Sequence, residues 1–185
     1  MVLLGWIVLA VCWVVWGYPF AFRAPHNQKR PSITAIAPTR VGLLLESLGI
    51  AIAFASGLLN PTPPVAWRIV ASMLCGPIGG LLSWGAVHHL GRQFRVHAGL
   101  YEDHQLVTTG PYGIVRHPIY SSMLAMLVST LLLSTPWKLA ILSLALFVAG
   151  TEIRVYTEDR LLASRFGPEF FKYQKRVWAY VPYLR

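Results

Sequence analysis

Charged side chains are scarce in this sequence, and their scarcity limits the class of protein that it can encode. Lys, Arg, Asp and Glu together make up 12% of the 185 residues, against roughly a quarter in an average soluble domain. Hydrophobic residues make up 55%. Because so few charges cannot cover a surface that faces water, the composition excludes an ordinary soluble domain and predicts an integral membrane protein.

Cysteine is almost absent as well. The two that occur, Cys12 and Cys75, lie in separate apolar segments, without the spacing of a disulfide framework or of a metal site. His88, His89 and His97 also match no familiar ligand spacing. We therefore predict that the cysteines pack against neighbouring helices and that the protein has no metal site.

Acidic residues number seven against sixteen basic ones, so the formal net charge is +9. An excess of positive charge can indicate a nucleic-acid partner, but here the charge follows the predicted membrane topology. All the basic residues except Arg68 and Lys138 fall on one side of a five-helix arrangement. The positive-inside rule places those loops and the C-terminal tail in the cytoplasm. The charge therefore predicts affinity for anionic lipid headgroups and no nucleic-acid partner.

Long apolar runs are abundant. A membrane span needs about 20 apolar residues, because roughly 30 Å of hydrocarbon is crossed at about 1.5 Å per residue. We predict an all-α integral membrane protein with about five transmembrane helices and a cytoplasmic loop before the fourth. Residues 154–177 are predicted to form two short amphipathic helices on the membrane surface, broken at Gly167-Pro168. The five predicted spans are 2–20, 41–59, 69–90, 119–134 and 136–153.

Residues 1–64 and 65–185 are predicted to have different roles. The first two helices match no chemical motif and are interpreted as a scaffold, whereas polar residues concentrate after His88, in the predicted catalytic core. Glu46 is an exception, because it lies inside the second span. A charge near the bilayer centre costs about 2.5–3.5 kcal/mol on insertion scales, so we expect a partner within the bundle. Its place towards the cytoplasmic end also leaves a contact with the membrane interface open.

Two polar clusters carry the predicted chemistry. The first begins at His104 and ends in the run Arg116-His117-Pro118-Ile119-Tyr120, at the start of the fourth helix. The second is Arg154-x-x-x-Glu158-Asp159, whose spacing puts Arg154 and Glu158 on one helix face. Because the fourth and fifth helices form a hairpin, we expect the clusters to meet on the cytoplasmic side. Each has an ordinary structural explanation when taken alone, such as an interfacial anchor or a surface ion pair.

The order of these motifs is more specific than any one of them. His104-x-Leu-Val-x-x-Gly-x-Tyr is followed by Arg-His-Pro-x-Tyr, a helical hairpin, Arg-x-x-x-Glu-acidic-x-x-Leu and Phe-Gly-x-x-Phe/Tyr-x-x-Tyr. Over residues 84–184 this order resembles the isoprenylcysteine carboxyl methyltransferase family and the related phospholipid N-methyltransferases. Three positions depart from the family pattern: Gly113, Ser122 and Asp159.

The resemblance implies a methyltransferase that uses S-adenosylmethionine as its cofactor. It also implies a pocket formed without a Rossmann sheet, and the sequence contains no Gly-x-Gly-x-x-Gly motif. Arg154 takes the position that the family uses next to the methyl acceptor and is the predicted catalytic residue. The residues that the resemblance implies for cofactor binding are His104, Gln105, Leu106, Val107, Tyr112, His117, Pro118, Ile119, Tyr120 and Glu158.

The sequence leaves the methyl acceptor open. A lipophilic or amphiphilic molecule from the bilayer, with a carboxylate like that of an isoprenylcysteine, would suit Arg154, which can hold both carboxylate oxygens. An amine or thiol would need a base such as Glu158. No protein partner can be inferred.

Two other functions compete with methyl transfer. They are an NADPH-dependent membrane reductase of similar helical layout and a non-enzymatic transporter or scaffold. The short chain favours a prokaryotic inner membrane, with the site facing the cytoplasm, and leaves organelle membranes open.

Overall fold

The computed structural model describes residues 2–23, 33–34, 36–59, 64–91, 99–100 and 105–184. Within these ranges the chain is almost entirely helical. The α-helices are α1 (Val2–Arg23), α2 (Ile36–Leu59), α3 (Ala66–Leu90), α4 (Pro118–Ser134), α5 (Trp137–Phe166) and α6 (Pro168–Gln174). A 3-10 helix spans Gly110–Gly113, and two-residue strands β1 (Ile33–Thr34) and β2 (Gly99–Leu100) pair antiparallel.

Four of these helices are long and apolar enough to cross a membrane, namely α1, α2, α3 and α5. The fifth apolar helix, α4, is shorter, at 17 residues. Large apolar side chains such as Leu44, Leu81 and Ile141 are exposed on these helices, as expected for surfaces that face lipid. The predicted class, an all-α multi-pass integral membrane protein, is confirmed.

The helices pack mainly in pairs, α2 on α5 and α3 on α4, with α1 against α3. The pairing of α3 with α4 uses small and hydroxyl side chains. Ser72 and Ser129 each donate a hydrogen bond to the other's backbone carbonyl at 2.8 Å. Arg68, at the start of α3, donates to the carbonyls of Leu131 and Thr135 at 2.9 and 2.8 Å. It therefore adds a second donor to the Leu131 carbonyl, which also accepts the Thr135 amide, and binds the Thr135 carbonyl just beyond α4.

Glycines bring the backbones of α2 and α5 unusually close. A Cβ atom added at Gly150 would lie 2.5 Å from the carbonyl oxygen of Gly42 and 2.9 Å from the amide nitrogen of Glu46. A Cβ atom at Gly49 would lie 2.6 Å from the carbonyl oxygen of Ser143. Because the opposing atoms belong to the backbone, they cannot move aside independently. Small residues at such contacts allow membrane helices to pack closely through van der Waals interactions.

The last long helix extends further than the sequence predicts. Residues 154–166, predicted as the first of two short surface helices, continue α5, so the predicted end at residue 153 is wrong. The segment contains no proline, and its first break is Gly167, whose φ of +48° suits glycine. Pro168 then begins α6 at the predicted break. The charged residues after 153 are therefore carried on a rigid extension of the spanning helix.

The close contact between α2 and α5 generates a stability prediction. Gly150→Ala places a methyl group against backbone atoms of α2, and overpacking of this kind costs about 1–3 kcal/mol. We expect a lower unfolding temperature in detergent. Gly17→Ala in α1 is the matched control, because a Cβ atom there meets nothing within 4 Å. An unfolding temperature of Gly150→Ala equal to that of Gly17→Ala would contradict the close approach.

Candidate functional site

The start of α4 and the last turns of α5 lie side by side, because the two helices form an antiparallel hairpin. His117 precedes Pro118, which begins α4 without needing a backbone N–H donor. The hairpin brings this residue next to Glu158 and Asp159 on α5. The sequence predicts this meeting of the two polar clusters, and the structure shows it.

His117 lies between two carboxylates. Its Nδ1 is 3.3 Å from Glu158 Oε2, and its Nε2 is 2.9 Å from Asp159 Oδ1. Burial alone would lower the pKa of His117, but its hydrogen bonds with Asp159 and Glu158, and the charges of both, raise that pKa from 6.5 to about 9. The ring is therefore an imidazolium at neutral pH, with both N–H groups donating.

Glu158 connects this histidine to an aromatic side chain of α4. The hydroxyl of Tyr120 donates to Glu158 Oε1 at 2.5 Å. The Tyr120 ring lies under the guanidinium of Arg154, 4.9 Å from the ring centroid to Cζ, within the range of a cation–π interaction. His117, Tyr120, Arg154 and Glu158 thus form one continuous cluster.

Arg154 also contacts α2. Its Nη1 donates to Oε2 of Glu46 at 2.5 Å, and Thr151 Oγ1 donates to Oε1 of the same carboxylate at 3.0 Å. Glu46 is fully buried, so its charge is compensated inside the bundle, which is one of the two alternatives that the sequence leaves open. The Nε atom of Arg154 is buried and has no hydrogen-bond partner among the described residues. One edge of the guanidinium is therefore anchored, while the other carries an unused donor.

Asp159, which departs from the family pattern, is held from two sides. Besides His117, it accepts a hydrogen bond from Arg116 Nη2 at 3.0 Å and one from Gln174 Nε2 at 3.3 Å. Arg116 Nη1 donates to the carbonyl of Val177 at 2.5 Å. Asp159 therefore joins the charged cluster to the C-terminal segment, a connection that the sequence does not predict. An open cavity of about 350 Å³ borders Arg116 and is lined otherwise by residues 174–178.

The C-terminal segment closes one side of the cluster through its backbone. The amides of Arg116 and His117 donate to the carbonyls of Trp178 and Ala179 at 2.7 and 2.8 Å. Ser121 Oγ donates to the carbonyl of Tyr180 at 2.5 Å, and the Tyr180 hydroxyl donates to Glu152 at 2.6 Å. These bonds hold residues 178–180 across the start of α4, where Ala179 and Tyr180 pack against Tyr120.

Tyr112 connects the 3-10 helix to the same region. It is buried, and its carbonyl accepts a hydrogen bond from the hydroxyl of Tyr173 at 2.6 Å. Burial, followed by the negative charge of Glu158, raises the pKa of the Tyr112 hydroxyl well above its usual value. Burial likewise raises the pKa of Tyr173 to about 12. Both phenols are therefore neutral at physiological pH, and the Tyr173 hydroxyl donates a hydrogen bond to the Tyr112 carbonyl.

The predicted site residues differ in how closely the structure joins them. His117, Tyr120, Arg154 and Glu158 are in contact, and Pro118 is buried beside them at the start of α4. Ile119 is half-buried in the same turn. Gln105, Leu106 and Val107 form an extended segment before the 3-10 helix, with Gln105 exposed. His104 lies outside the described residues. The cofactor-binding and catalytic roles of all these residues stay predictions.

Comparison with known proteins identifies the family. The sequence profile of the isoprenylcysteine carboxyl methyltransferase family matches residues 70–164, which include His117, Arg154 and Glu158. The chain belongs to this family. It is therefore a membrane methyltransferase, as the order of its motifs predicts.

Individual relatives carry two kinds of name. A probable protein-S-isoprenylcysteine O-methyltransferase of Oryza sativa subsp. indica is 27% identical over 97% of this chain and 96% of its own length. The protein-S-isoprenylcysteine O-methyltransferase of Schizosaccharomyces pombe is 31% identical over 71% of this chain and 56% of its own. The cobalt-zinc-cadmium resistance protein CzcN of Cupriavidus metallidurans is 35% identical over 55% of this chain and 42% of its own. Similarity to the rice protein thus extends over α1 and α2.

The raised pKa of His117 predicts how the stability of the fold depends on pH. Its folded-state pKa of about 9 lies above the value of 6.5 for the ordinary group. Protonation therefore stabilises the fold fully below about pH 6.5, and this contribution is lost as the pH rises through about 9. We expect the unfolding temperature in detergent to fall across that window, and to fall less in His117→Gln. A variant that retains the whole wild-type slope would assign the pH dependence to another group.

Proposed function

We propose that this methyltransferase transfers the methyl group of S-adenosylmethionine to the carboxylate of a lipophilic or amphiphilic acceptor of the isoprenylcysteine type. The observation that supports the proposal is the arrangement of Arg154. Its guanidinium lies on Tyr120, whose hydroxyl contacts Glu158, and its buried Nε has no partner among the described residues. A buried donor without an acceptor is costly, so we infer that a carboxylate of the methyl acceptor approaches this nitrogen, beside the carboxylate assigned to the cofactor.

The residues present fit S-adenosylmethionine by their charge and accessibility. The cofactor carries a sulfonium and an ammonium group, which an accessible carboxylate can attract. The Glu158 side chain is 26% exposed, against 5% for His117, so Glu158 can reach a ligand while its neighbours hold it in place. His117 and Tyr120 donate to Glu158 and restrict its rotation.

The other cofactor-binding residues have supporting roles in this proposal. The backbone of Gln105–Val107 leads to Tyr112, and His104 precedes it in the chain. Pro118 and Ile119 form the first turn of α4, next to His117. We infer that these residues enclose the cofactor on the side opposite Glu158. When bound, S-adenosylmethionine supplies an electrophilic methyl group on its sulfonium.

The protein's part in the reaction is alignment and exclusion of water. A carboxylate acceptor is already ionised at neutral pH, so no residue has to remove a proton from it. Arg154 binds a carboxylate oxygen through Nε and so directs the other oxygen towards the methyl group. The segment 178–180 covers one side of the cluster, and we infer that it helps to exclude water. Correct orientation of two reactants can lower a barrier by roughly 7–11 kcal/mol.

The location of the site suits a substrate that dissolves in the membrane. Arg154 lies on α5, a helix long and apolar enough to cross the bilayer, while Glu158 lies one turn further along it. A lipophilic acceptor can reach Arg154 from the lipid, and a water-soluble cofactor can reach Glu158 from the aqueous side. We infer from the positions of the basic residues that this side is the cytoplasm. The similarity to a bacterial relative supports a prokaryotic inner membrane as the location.

A substitution of Arg154 tests the acceptor site. In Arg154→Lys the side chain keeps its charge beside Glu46 but loses Nε as a second donor. Hydrogen bonds to charged groups contribute about 1.5–3 kcal/mol, so we expect kcat/KM for an S-prenylated cysteine to fall roughly 10- to 100-fold. The affinity for S-adenosylhomocysteine should be unchanged. Arg160→Lys, on an exposed part of α5, is the control, and equal turnover by both variants would exclude Arg154 from the acceptor site.

A substitution of Glu158 tests the cofactor site. Glu158→Gln removes the negative charge while keeping the shape of the side chain. We expect the Kd for S-adenosylhomocysteine, measured by calorimetry, to rise at least about tenfold. Glu169→Gln in α6 is the exposed control. Wild-type affinity in Glu158→Gln would refute the pocket, and a rise in unfolding temperature with NADPH alone would favour a reductase.

A further inference from the structure

Glu46 is a fully buried carboxylate in α2, a helix interpreted from sequence as scaffold. It lies outside residues 70–164, the part of the chain that the family profile matches. No motif of the methyltransferase core includes it. Its contacts nevertheless lead directly to Arg154, the residue proposed to bind the acceptor.

The carboxylate of Glu46 has a donor on each oxygen. Arg154 Nη1 donates to Oε2 at 2.5 Å, and Thr151 Oγ1 donates to Oε1 at 3.0 Å. Both donors lie on the same face of α5, three residues apart. Two charge-assisted hydrogen bonds from one helix fix the carboxylate, and the carboxylate in turn fixes Nη1 of Arg154.

The backbone of α2 also makes room for the arginine. A Cβ atom at Gly42 would lie 2.5 Å from Cγ of Arg154, so the stem of the arginine occupies the space beside this glycine. Gly150, one turn before Arg154, allows the same close contact between the helices. Helix α2 therefore supplies both the counter-charge of Arg154 and the surface on which its side chain lies.

We propose that Glu46 is a positioning residue, which holds Nη1 of Arg154 so that the Nε edge of the guanidinium faces the acceptor carboxylate. The inference rests on the proposed function. An arginine side chain has several rotatable bonds, and anchoring one nitrogen removes most of that freedom before the acceptor binds. The pairing also neutralises Arg154, so the acceptor is held by a directed hydrogen bond more than by net charge. Helix α2, although interpreted from sequence as scaffold, is in this proposal part of the acceptor site.

The decisive variant is Glu46→Gln, which keeps the size of the side chain and an oxygen acceptor but removes the charge. We expect kcat/KM for an N-acetylated S-prenylcysteine to fall about tenfold or more, with methyl-labelled S-adenosylmethionine as donor. The Kd for S-adenosylhomocysteine should stay within about twofold of wild type. A purely structural role would leave kcat/KM unchanged in folded protein, and that result would overturn the proposal.

Ser143→Ala is the matched structural control. Ser143 Oγ donates to the carbonyl of Gly49 at 2.7 Å, so it joins the same two helices away from the site. This variant should lower the unfolding temperature without lowering kcat/KM. An equal loss of kcat/KM in Ser143→Ala and Glu46→Gln would assign the effect to helix packing and overturn the proposal.

Two further variants are needed. One replaces Glu46→Gln if that variant does not fold, and the other tests whether Glu46 acts through Arg154. If Glu46→Gln does not fold, Thr151→Val decides, because it removes one donor to Glu46 and keeps the charge. A smaller loss of acceptor kcat/KM supports the proposal, and wild-type kinetics overturns it. In an Arg154→Lys background, Glu46→Gln should cause less than about twofold further loss. A full, additive loss there would show that Glu46 does not act through Arg154.

The activity of the wild-type protein distinguishes failure of the proposed function from failure of the proposed role of Glu46. Wild type that transfers no label to any prenylated or lipid acceptor refutes the proposed function, and with it the role of Glu46. Active wild type with an equally active Glu46→Gln refutes the role of Glu46 alone.

Discussion

A charged side chain can lie inside a bundle of membrane-spanning helices only when other protein groups replace the water that it has lost. In this protein six charged side chains follow one another in a single series of contacts, in which negative and positive charges alternate. With His117 protonated, three positive and three negative charges cancel. Tyr120 bridges the one gap, between Arg154 and Glu158. The members in order are Glu46, Arg154, Glu158, His117, Asp159 and Arg116.

This chain of charges also determines how the helices meet. Its first member lies on α2, its middle members on α5 and at the start of α4, and its last member binds the backbone of residue 177. Each charge would be costly if a neighbour were removed. The relative positions of three helices and the C-terminal segment therefore depend on the same contacts that form the candidate site. Stability and the proposed chemistry are coupled in this part of the molecule.

Under the proposed function, this network would let one site bind two ligands of opposite charge. Glu158 lies towards the more accessible end and suits the cationic cofactor. Arg154 lies one turn earlier in α5, nearer the apolar part of the helix, and its unused donor would suit an anionic acceptor. The Tyr120 side chain separates these two groups by the thickness of one ring and its hydroxyl. In that proposal the methyl group moves only a short distance between the two ligands.

Several features could be predicted because they depend on residues close together in sequence. Apolar runs predicted the spanning helices, since the thickness of the bilayer sets their length. The motif order in residues 84–184 predicted the family, which the profile match confirms. The hairpin of α4 and α5 predicted that His117 and Glu158 meet, because antiparallel helices joined by a tight turn also lie side by side away from that turn. The end of α5 was predicted wrongly, since charged residues in 154–166 suit a surface helix as well as an extended one.

Only the tertiary structure decided which oppositely charged groups, distant in sequence, form ion pairs. Glu46 and Arg154 are separated by 108 residues, and nothing local in α2 distinguishes a carboxylate that reaches the interface from one that pairs with α5. The role of Asp159 as the link between His117 and Arg116 likewise depends on how α6 and the tail fold back. By itself the sequence determined that the protein spans the membrane, which family it belongs to and which helix ends carry polar groups. Which buried charges pair with each other followed from helix packing, because pairing depends on which helix surfaces can approach closely. At Gly42 and Gly150 the close approach needs both α2 and α5, so neither helix predicts it alone.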